Sequence, residues 1–340
     1  MILSGACRMD STAPRSVLNG KTRRVPSRYF GIASLLTVMA VPVFAAASKA
    51  RPIQLPGYKV VPVHYGPLNQ MIMSAKINGH PANLMVDTGA DQIIMDANVA
   101  ASFDVRPSQR GLRYIRFTEI NGEILPVGFV QSLTAGSMSL GSSLVALRNS
   151  STSGHFSNRV EAGNSGVDGF LGLDILMRHK AIINCRTKLI FFKVDQSRPS
   201  QLTSVALSEK FTRIPLRRER NGALTVPCSI HRQAGHLLVD TGAFVTVLDE
   251  GLLKSFGITL QPTRISAHFT GGVARKISAA RVNDLVIGDF RVPPEKLGTA
   301  VLPNFALQQG STHINGILGM DLLFICHGII DFDSMNLFLK

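Results

Sequence analysis

Cysteine is scarce in this 340-residue chain, and the little there is builds no framework. Cys7 lies in the N-terminal segment, which leaves Cys185, Cys228 and Cys326, an odd number without metal-type spacing. Apolar neighbours such as Ile182-Ile183 and Phe324-Ile325 favour buried thiols, with one disulfide left open. The nine histidines form no H-x-x-x-H pair, so neither a metal nor another cofactor is expected. The phosphate loop G-x-x-x-x-G-K is missing. Acids are outnumbered, 22 against 36 Lys and Arg, for a net charge of +14. The basic residues are scattered, with only the short Arg217-Arg218-Glu219-Arg220 cluster, which reads as a solvated surface and not as a nucleic-acid site. No apolar run reaches the roughly 20 residues of a spanning helix.

What is present is enough apolar residue, 45% against 17% charged, for one large or two small globular domains. Residues 1–47 read as a secretory signal. Lys21, Arg23, Arg24 and Arg28 form its basic part, Phe30 to Phe44 its apolar core, and Ala45-Ala46-Ala47 its cleavage site. An uncleaved anchor is the alternative. The segment carries +5 of the charge, so the mature chain keeps +9. The expectation is an exported protein, periplasmic or secreted, with no membrane span after cleavage.

One stretch occurs twice. Leu84-Met85-Val86-Asp87-Thr88-Gly89-Ala90 returns 153 positions later as Leu237-Leu238-Val239-Asp240-Thr241-Gly242-Ala243. In each copy an apolar run, read as a buried strand, leads one carboxylate into a tight turn at a glycine. Two such carboxylates in one local frame suggest a pair. The match extends from Tyr58–Val63 against Phe211–Leu216 to Ser102-Phe103 against Ser255-Phe256 at the same offset. Farther on, Leu140-Gly141 pairs with Ile287-Gly288 and Gly172 with Gly319 at an offset of 147, which places a six-residue length difference between Phe103 and Leu140. A duplication of one mostly-strand unit follows. Asn78-Gly79 reads as a hairpin turn. Asp96 to Phe103 and Asp249 to Phe256 each read as a short helix capped by its Asp. Alternating hairpins run from Tyr114 to Val130, turning at Asn121-Gly122, and from Ile265 to Val282, turning at Gly271-Gly272.

An Asp-Thr-Gly-Ala turn after an apolar run resembles the active-site loop of aspartic proteases, most closely the retroviral proteases and their bacterial relatives. The second signature of that family, two apolar residues and a glycine before a short helix, is also present twice: Phe170-Leu171-Gly172-Leu173-Asp174 and Ile317-Leu318-Gly319-Met320-Asp321. The resemblance implies a mainly β protein, two retropepsin-like β-barrel lobes in tandem around a central cleft. The lobes would span 52–195 and 208–340, joined by a linker at 196–207. It implies an aspartic endopeptidase acting as a monomer on peptide or protein substrates, with Asp87 and Asp240 activating a water. Thr88, Gly89, Ala90, Thr241, Gly242 and Ala243 would support them. Asn121, Gly122, Gly271 and Gly272 would lie in two flaps.

Asp174 and Asp321 form another matched pair, expected to cap the helices that they begin. In the retroviral enzymes an Arg after the second glycine pairs with the residue that is Asp91 here; this chain has Leu173 and Met320 instead. Two other readings stand beside the leading one. Each repeat could pair with its copy in another chain, or the fold could serve as a non-catalytic peptide-binding module.

Overall fold

Short alternating runs closed by tight turns dictate the architecture. In β1 (Met71–Ile77) the exposed positions are Ser74 and Lys76, between buried neighbours. The strand reverses through Asn78 and Gly79, both at positive φ (50° and 88°), into β2 (His80–Val86), with Ile77 opposite His80. Two left-handed residues match the twist of a two-residue hairpin, and Asn and Gly tolerate them best. The computed structural model describes residues 55–67, 69–110, 114–120, 123–149, 166–220, 222–269, 273–303, 308–309 and 312–340. The expected signal, the flap turns Asn121-Gly122 and Gly271-Gly272, and the loop 150–164 lie outside the described residues.

After β2 come β3 (Ile94–Asp96), β4 (Glu123–Ala135), β5 (Met138–Arg148) and β6 (Gly169–Leu171). They pair in the order β1-β2-β6-β3-β5-β4, and β4 returns to β1, closing a six-stranded barrel. In the second half, β7 (Leu224–Ile230), β8 (Gln233–Val239), β9 (Val247–Asp249), β10 (Val273–Val282), β11 (Glu295–Ala300) and β12 (Thr312–Leu318) pair in the corresponding order β7-β8-β12-β9-β11-β10. There the return to β7 is made by a separate short strand, Val286–Ile287. The mainly β, two-lobed expectation describes this fold.

A further sheet joins the lobes. Strands Tyr58–Tyr65, Leu189–Lys193, Ile182–Asn184, Ile329–Asp331, Asn336–Leu339 and Thr212–Pro215 follow one another in antiparallel pairs, with Ile183 opposite Ile330 at the junction. Lys193 and Lys180 both bridge to Asp333, at 2.6 and 3.1 Å, from one lobe to the other. One apolar cluster runs from Val61 through both barrels to Leu339. The stretch expected as a linker holds a helix, Leu202–Ser208, which buries Ala206 against Phe191 and Phe338 of the joining sheet. Cys185, Cys228 and Cys326 are free and buried, and burial pushes the Cys185 thiol up to about 12.

Strand registers revise the alignment between the halves. Ile94 pairs with Ala146 and Val247 with Gly298, an offset of 152. The hairpins at Gly136 and Gly288, both at φ near +55°, are likewise equivalent. Leu140-Gly141 is therefore not the counterpart of Ile287-Gly288. Five of the six extra residues of the first half fall between Arg148 and Gly169, and one falls between Asp96 and Gly136. Two glycines spaced by one strand reversal, each after a β-rich run, gave the wrong match.

Candidate active site

Each candidate Asp is placed by a parallel strand pair. Leu84, Met85 and Val86 are buried in β2, which runs parallel to β6, and the Asp87 N–H donates to the Leu171 carbonyl at 3.0 Å. Across the molecule Leu237, Leu238 and Val239 are buried beside β12, and the Asp240 N–H donates to Leu318 at the same distance. The turns behind them are pinned by the second signature. The Leu173 N–H donates to the Ala90 carbonyl and the Met320 N–H to the Ala243 carbonyl, both at 2.8 Å. The signature glycines are required by close approach: a methyl on Gly172 would lie 2.5 Å from the Gln92 carbonyl oxygen, and on Gly319 2.6 Å from the Val245 backbone.

The two turns grip each other reciprocally. The Thr88 N–H donates to Thr241 Oγ1 at 3.1 Å, and the Thr241 N–H to Thr88 Oγ1 at 3.0 Å. Each hydroxyl then donates to the carbonyl that precedes the opposite Asp, Thr88 to Val239 and Thr241 to Val86, both at 2.8 Å. All four bonds are buried, where leaving a partner unmade costs about 1–3 kcal/mol per group.

Inside this grip the Asp87 and Asp240 side chains meet. Both are buried, at 0% and 1% exposure. A methyl on Gly242 would lie 2.6 Å from Asp87 Cγ, so the carboxyl of one lobe rests on the turn of the other. Gly89 N–H donates to Asp87 Oδ1 at 2.8 Å; Gly242 and Ala243 N–H groups donate to Asp240 Oδ1 at 2.9 and 3.1 Å. The remaining oxygens, Asp87 Oδ2 and Asp240 Oδ2, are buried with no donor among the described residues. Two facing acceptors are satisfied when one carboxyl carries a proton and bonds to the other. Burial raises both carboxyls above the ordinary range, and their mutual repulsion favours one proton kept on the pair.

Asp174 and Asp321 are far less available for chemistry. The N-caps of the two short helices, Leu173–Arg178 and Met320–Ile325, are Gly172 and Gly319, so these acids sit in the first turn and not at the cap. Asp321 Oδ1 accepts from the Leu322 N–H at 2.7 Å, and from the Thr246 N–H and hydroxyl at 2.8 and 2.6 Å. The carboxylate thus ties the helix to the active-site loop. Asp174 has Ser143 for that purpose, at 3.2 Å, because Ile93 stands where Thr246 stands. By contrast Asp96 and Asp249 do cap their helices, accepting from Asn98 and Leu252 N–H at 2.9 Å.

Asp91 leans across to the second lobe. Gly222, at φ +93°, lies so close that a methyl there would fall 2.2 Å from Asp91 Oδ1. Burial raises the Asp91 carboxyl, and the positive charge of Arg218 opposes that rise. The arms of the first hairpin, Phe117–Ile120 against Glu123–Pro126, fold onto the first lobe, where Gln92 Nε2 donates to Thr118 Oγ1 at 3.1 Å.

Two mainly β lobes whose Asp-Thr-Gly turns interlock and share a buried carboxyl pair define an aspartic protease type of centre. Sequence comparison agrees for each half separately. The model of the "gag-polyprotein putative aspartyl protease" family matches residues 73–178, and the "aspartyl protease" model matches residues 226–322. Each half of the chain thus matches a family of aspartyl proteases. No curated protein matches it in sequence. Among solved structures it is similar to basic 7S globulin from soybean, at 11% identity and a TM-score of 0.49, over 84% of this chain and 95% of that one. It is also similar to conglutin gamma from lupine seeds, at 11% identity and a TM-score of 0.45, over 84% and 95%. The aspartic proteinase from Irpex lacteus is similar at 12% identity and a TM-score of 0.44, over 83% and 97%.

Proposed function

We propose that the chain is an aspartic endopeptidase that hydrolyses peptide bonds with a water held between Asp87 and Asp240. The observation that carries this reading is the buried carboxyl pair, with one oxygen of each left without a donor among the described residues. Like charges at such a distance cannot both ionise readily, so the pair holds one proton across a range of pH. Ionised Asp87 accepts a proton from the water as it attacks the scissile carbonyl. Protonated Asp240 donates to the carbonyl oxygen as negative charge develops there. The resulting tetrahedral intermediate collapses when a carboxyl hands its proton to the leaving amine. The Thr88–Thr241 grip keeps both carboxyls in place without reorganisation during the step.

Both acids come from one chain, so a monomer is sufficient. The two hairpins would act as flaps, closing over an extended peptide. With its N-terminal signal removed, the enzyme would work in a periplasmic or secreted compartment. The test is incubation of the chain, lacking residues 1–47, with a peptide library, with and without a pepstatin-type inhibitor. Internal cleavage products that disappear with inhibitor and in Asp87→Asn are expected. Release of terminal residues only, or inhibitor-insensitive cleavage, would overturn the reading.

A further inference from the structure

The first lobe carries a charge that the catalytic pair does not use. Arg148, the last residue of β5, has a side chain 1% exposed. Ala146, two positions earlier and so on the same face of the strand, packs with Ala90 of the catalytic turn and with Ile120 and Leu125 of the first hairpin. Arg148 therefore stands behind the wall of the cleft, within electrostatic reach of Asp87. Its register neighbour on β3, Asp96, turns its carboxylate to the Asn98 N–H. Among the described residues only Glu123, on the inward face of the hairpin opposite Ile120, meets the guanidinium, as an ion pair at 3.0 Å to Nε. Nε, Nη1 and Nη2 are all buried without a hydrogen-bond acceptor among the described residues, so Glu123 meets Nε by charge and proximity, and Nη1 and Nη2 have not even that.

A buried cation with two idle donor groups is costly to keep. The fold does not demand it: Asp249 pairs with Ala300 in the second lobe just as Asp96 pairs with Arg148 in the first. Guanidinium offers donors on two edges, and a carboxylate at the Nε edge leaves the Nη1–Nη2 edge for a second one. We propose that Arg148 is a specificity-determining residue: its free edge takes the carboxylate of an acidic substrate side chain, near the scissile bond on the side bound by the first lobe. This inference rests on the reading of the cleft as a peptide site. Glu123, opposite Ile120 in the hairpin, holds the guanidinium in orientation.

The test uses the same chain and peptides amidated at the C-terminus, so that only side chains supply carboxylates. Glu and Gln are exchanged at each position flanking a cleaved bond. One position should favour Glu by about tenfold or more in kcat/KM, the scale of a hydrogen bond to a charged group. Arg148→Met should bring that ratio to about one, Arg148→Lys should keep part of it, and Glu123→Gln should leave it in place. Should Arg148→Met fail to fold, the wild-type ratio decides alone. Reduced-amide analogues of the same peptides, titrated calorimetrically, report the ratio without turnover. Glu-selective binding without any cleavage would overturn the protease reading and keep this one. Cleavage with Glu and Gln equal everywhere would overturn this proposal and keep the protease, and no binding of any analogue would sink both.

Discussion

The two lobes are nearest to identical at the axis between them and differ most away from it. At the axis, bond for bond, each threonine accepts and donates as its partner does, within 0.1 Å. Away from it the first hairpin turns on Asn78-Gly79, while the second places His231 and Arg232 at positive φ, 49° and 65°. That strained turn is held by the Asp284 carboxylate on the His231 N–H and by His231 stacked on Phe256 at 4.9 Å. Strand β4 runs unbroken for 13 residues, where its counterpart is split into β10 and Val286–Ile287. Arg148 faces the first wall and Ala300 the second. The difference has a physical sense. On the proposed function, two carboxyls that share a proton must be presented alike, whereas a peptide substrate would be directional and meet unlike walls.

The sharpest way to break the comparison is at the carboxyls. Asp87→Asn and Asp240→Asn should each lower kcat/KM by about 10²–10⁴-fold, because neither works without the other. Mixing the two variants should restore nothing, as both acids meet within one chain. Recovery on mixing, read by peptide turnover, would mean pairing between chains. Next in size is the grip. Thr88→Val and Thr241→Val each strand one N–H and one carbonyl in the interior. Each should cost roughly 2–5 kcal/mol in denaturant unfolding, with the two losses nearly equal. A clearly unequal pair of losses would show that the axis is less symmetric than its bonds.

Much of this centre was legible in the sequence, because it rests on local rules. Asp-Thr-Gly after three apolar residues, and the glycine that the Gln92 carbonyl crowds, are properties of a few adjacent residues. So are the Asp96 and Asp249 caps. What stayed hidden depends on residues far apart in the chain. Arg148 ends an apolar strand and reads as its solvated terminus; only the fold shows Glu123 above it and Ala300 at the equivalent place. The Gly222–Asp91 contact joins two lobes. The misplaced Leu140-Gly141 match arose because period-two strands look alike when slid along one another. The linker helix was masked by its polar flanks.

A smaller effect of the two acids is on stability. Burial, and then the charge of Asp87, raise the Asp240 carboxyl well above its ordinary value. A carboxyl raised on folding contributes stability that is fully present below the unfolded value, about 3.9, and lost as pH climbs through the folded one. The amide of an asparagine does not titrate. Asp240→Asn should therefore melt higher than wild type at pH 8, by about 2–4 °C for each kcal/mol recovered, and lose that advantage near pH 3. Asp87→Asn should gain in the same direction, since burial raises Asp87 as well. Calorimetry at the two pH values checks the sign for both variants.

The smallest effect concerns the alanines that follow the turn. Ala90 and Ala243 are 2% and 0% exposed, and neither has a hydroxyl to offer the adjacent carboxyl. A serine there would donate a hydrogen bond to the charged form and lower its pKa. Activity requires one proton on the pair, so the working window lies between the two apparent values and moves with them. With burial raising both carboxyls and no hydroxyl opposing it, the wild-type kcat/KM profile should be bell-shaped with a maximum above about pH 4. In Ala90→Ser/Ala243→Ser the acidic limb should move down by up to about one pH unit, the range of a single hydrogen bond. The single variants should not be equivalent. Asp240 already accepts two N–H groups on Oδ1, so Ala243→Ser competes with an existing bond, whereas Asp87 takes its best one from Gly89 alone. Ala90→Ser should carry the larger share of the shift. A limb that stays fixed in the double variant, or a wild-type maximum near pH 2, would show that burial does not set the proton affinity of the pair.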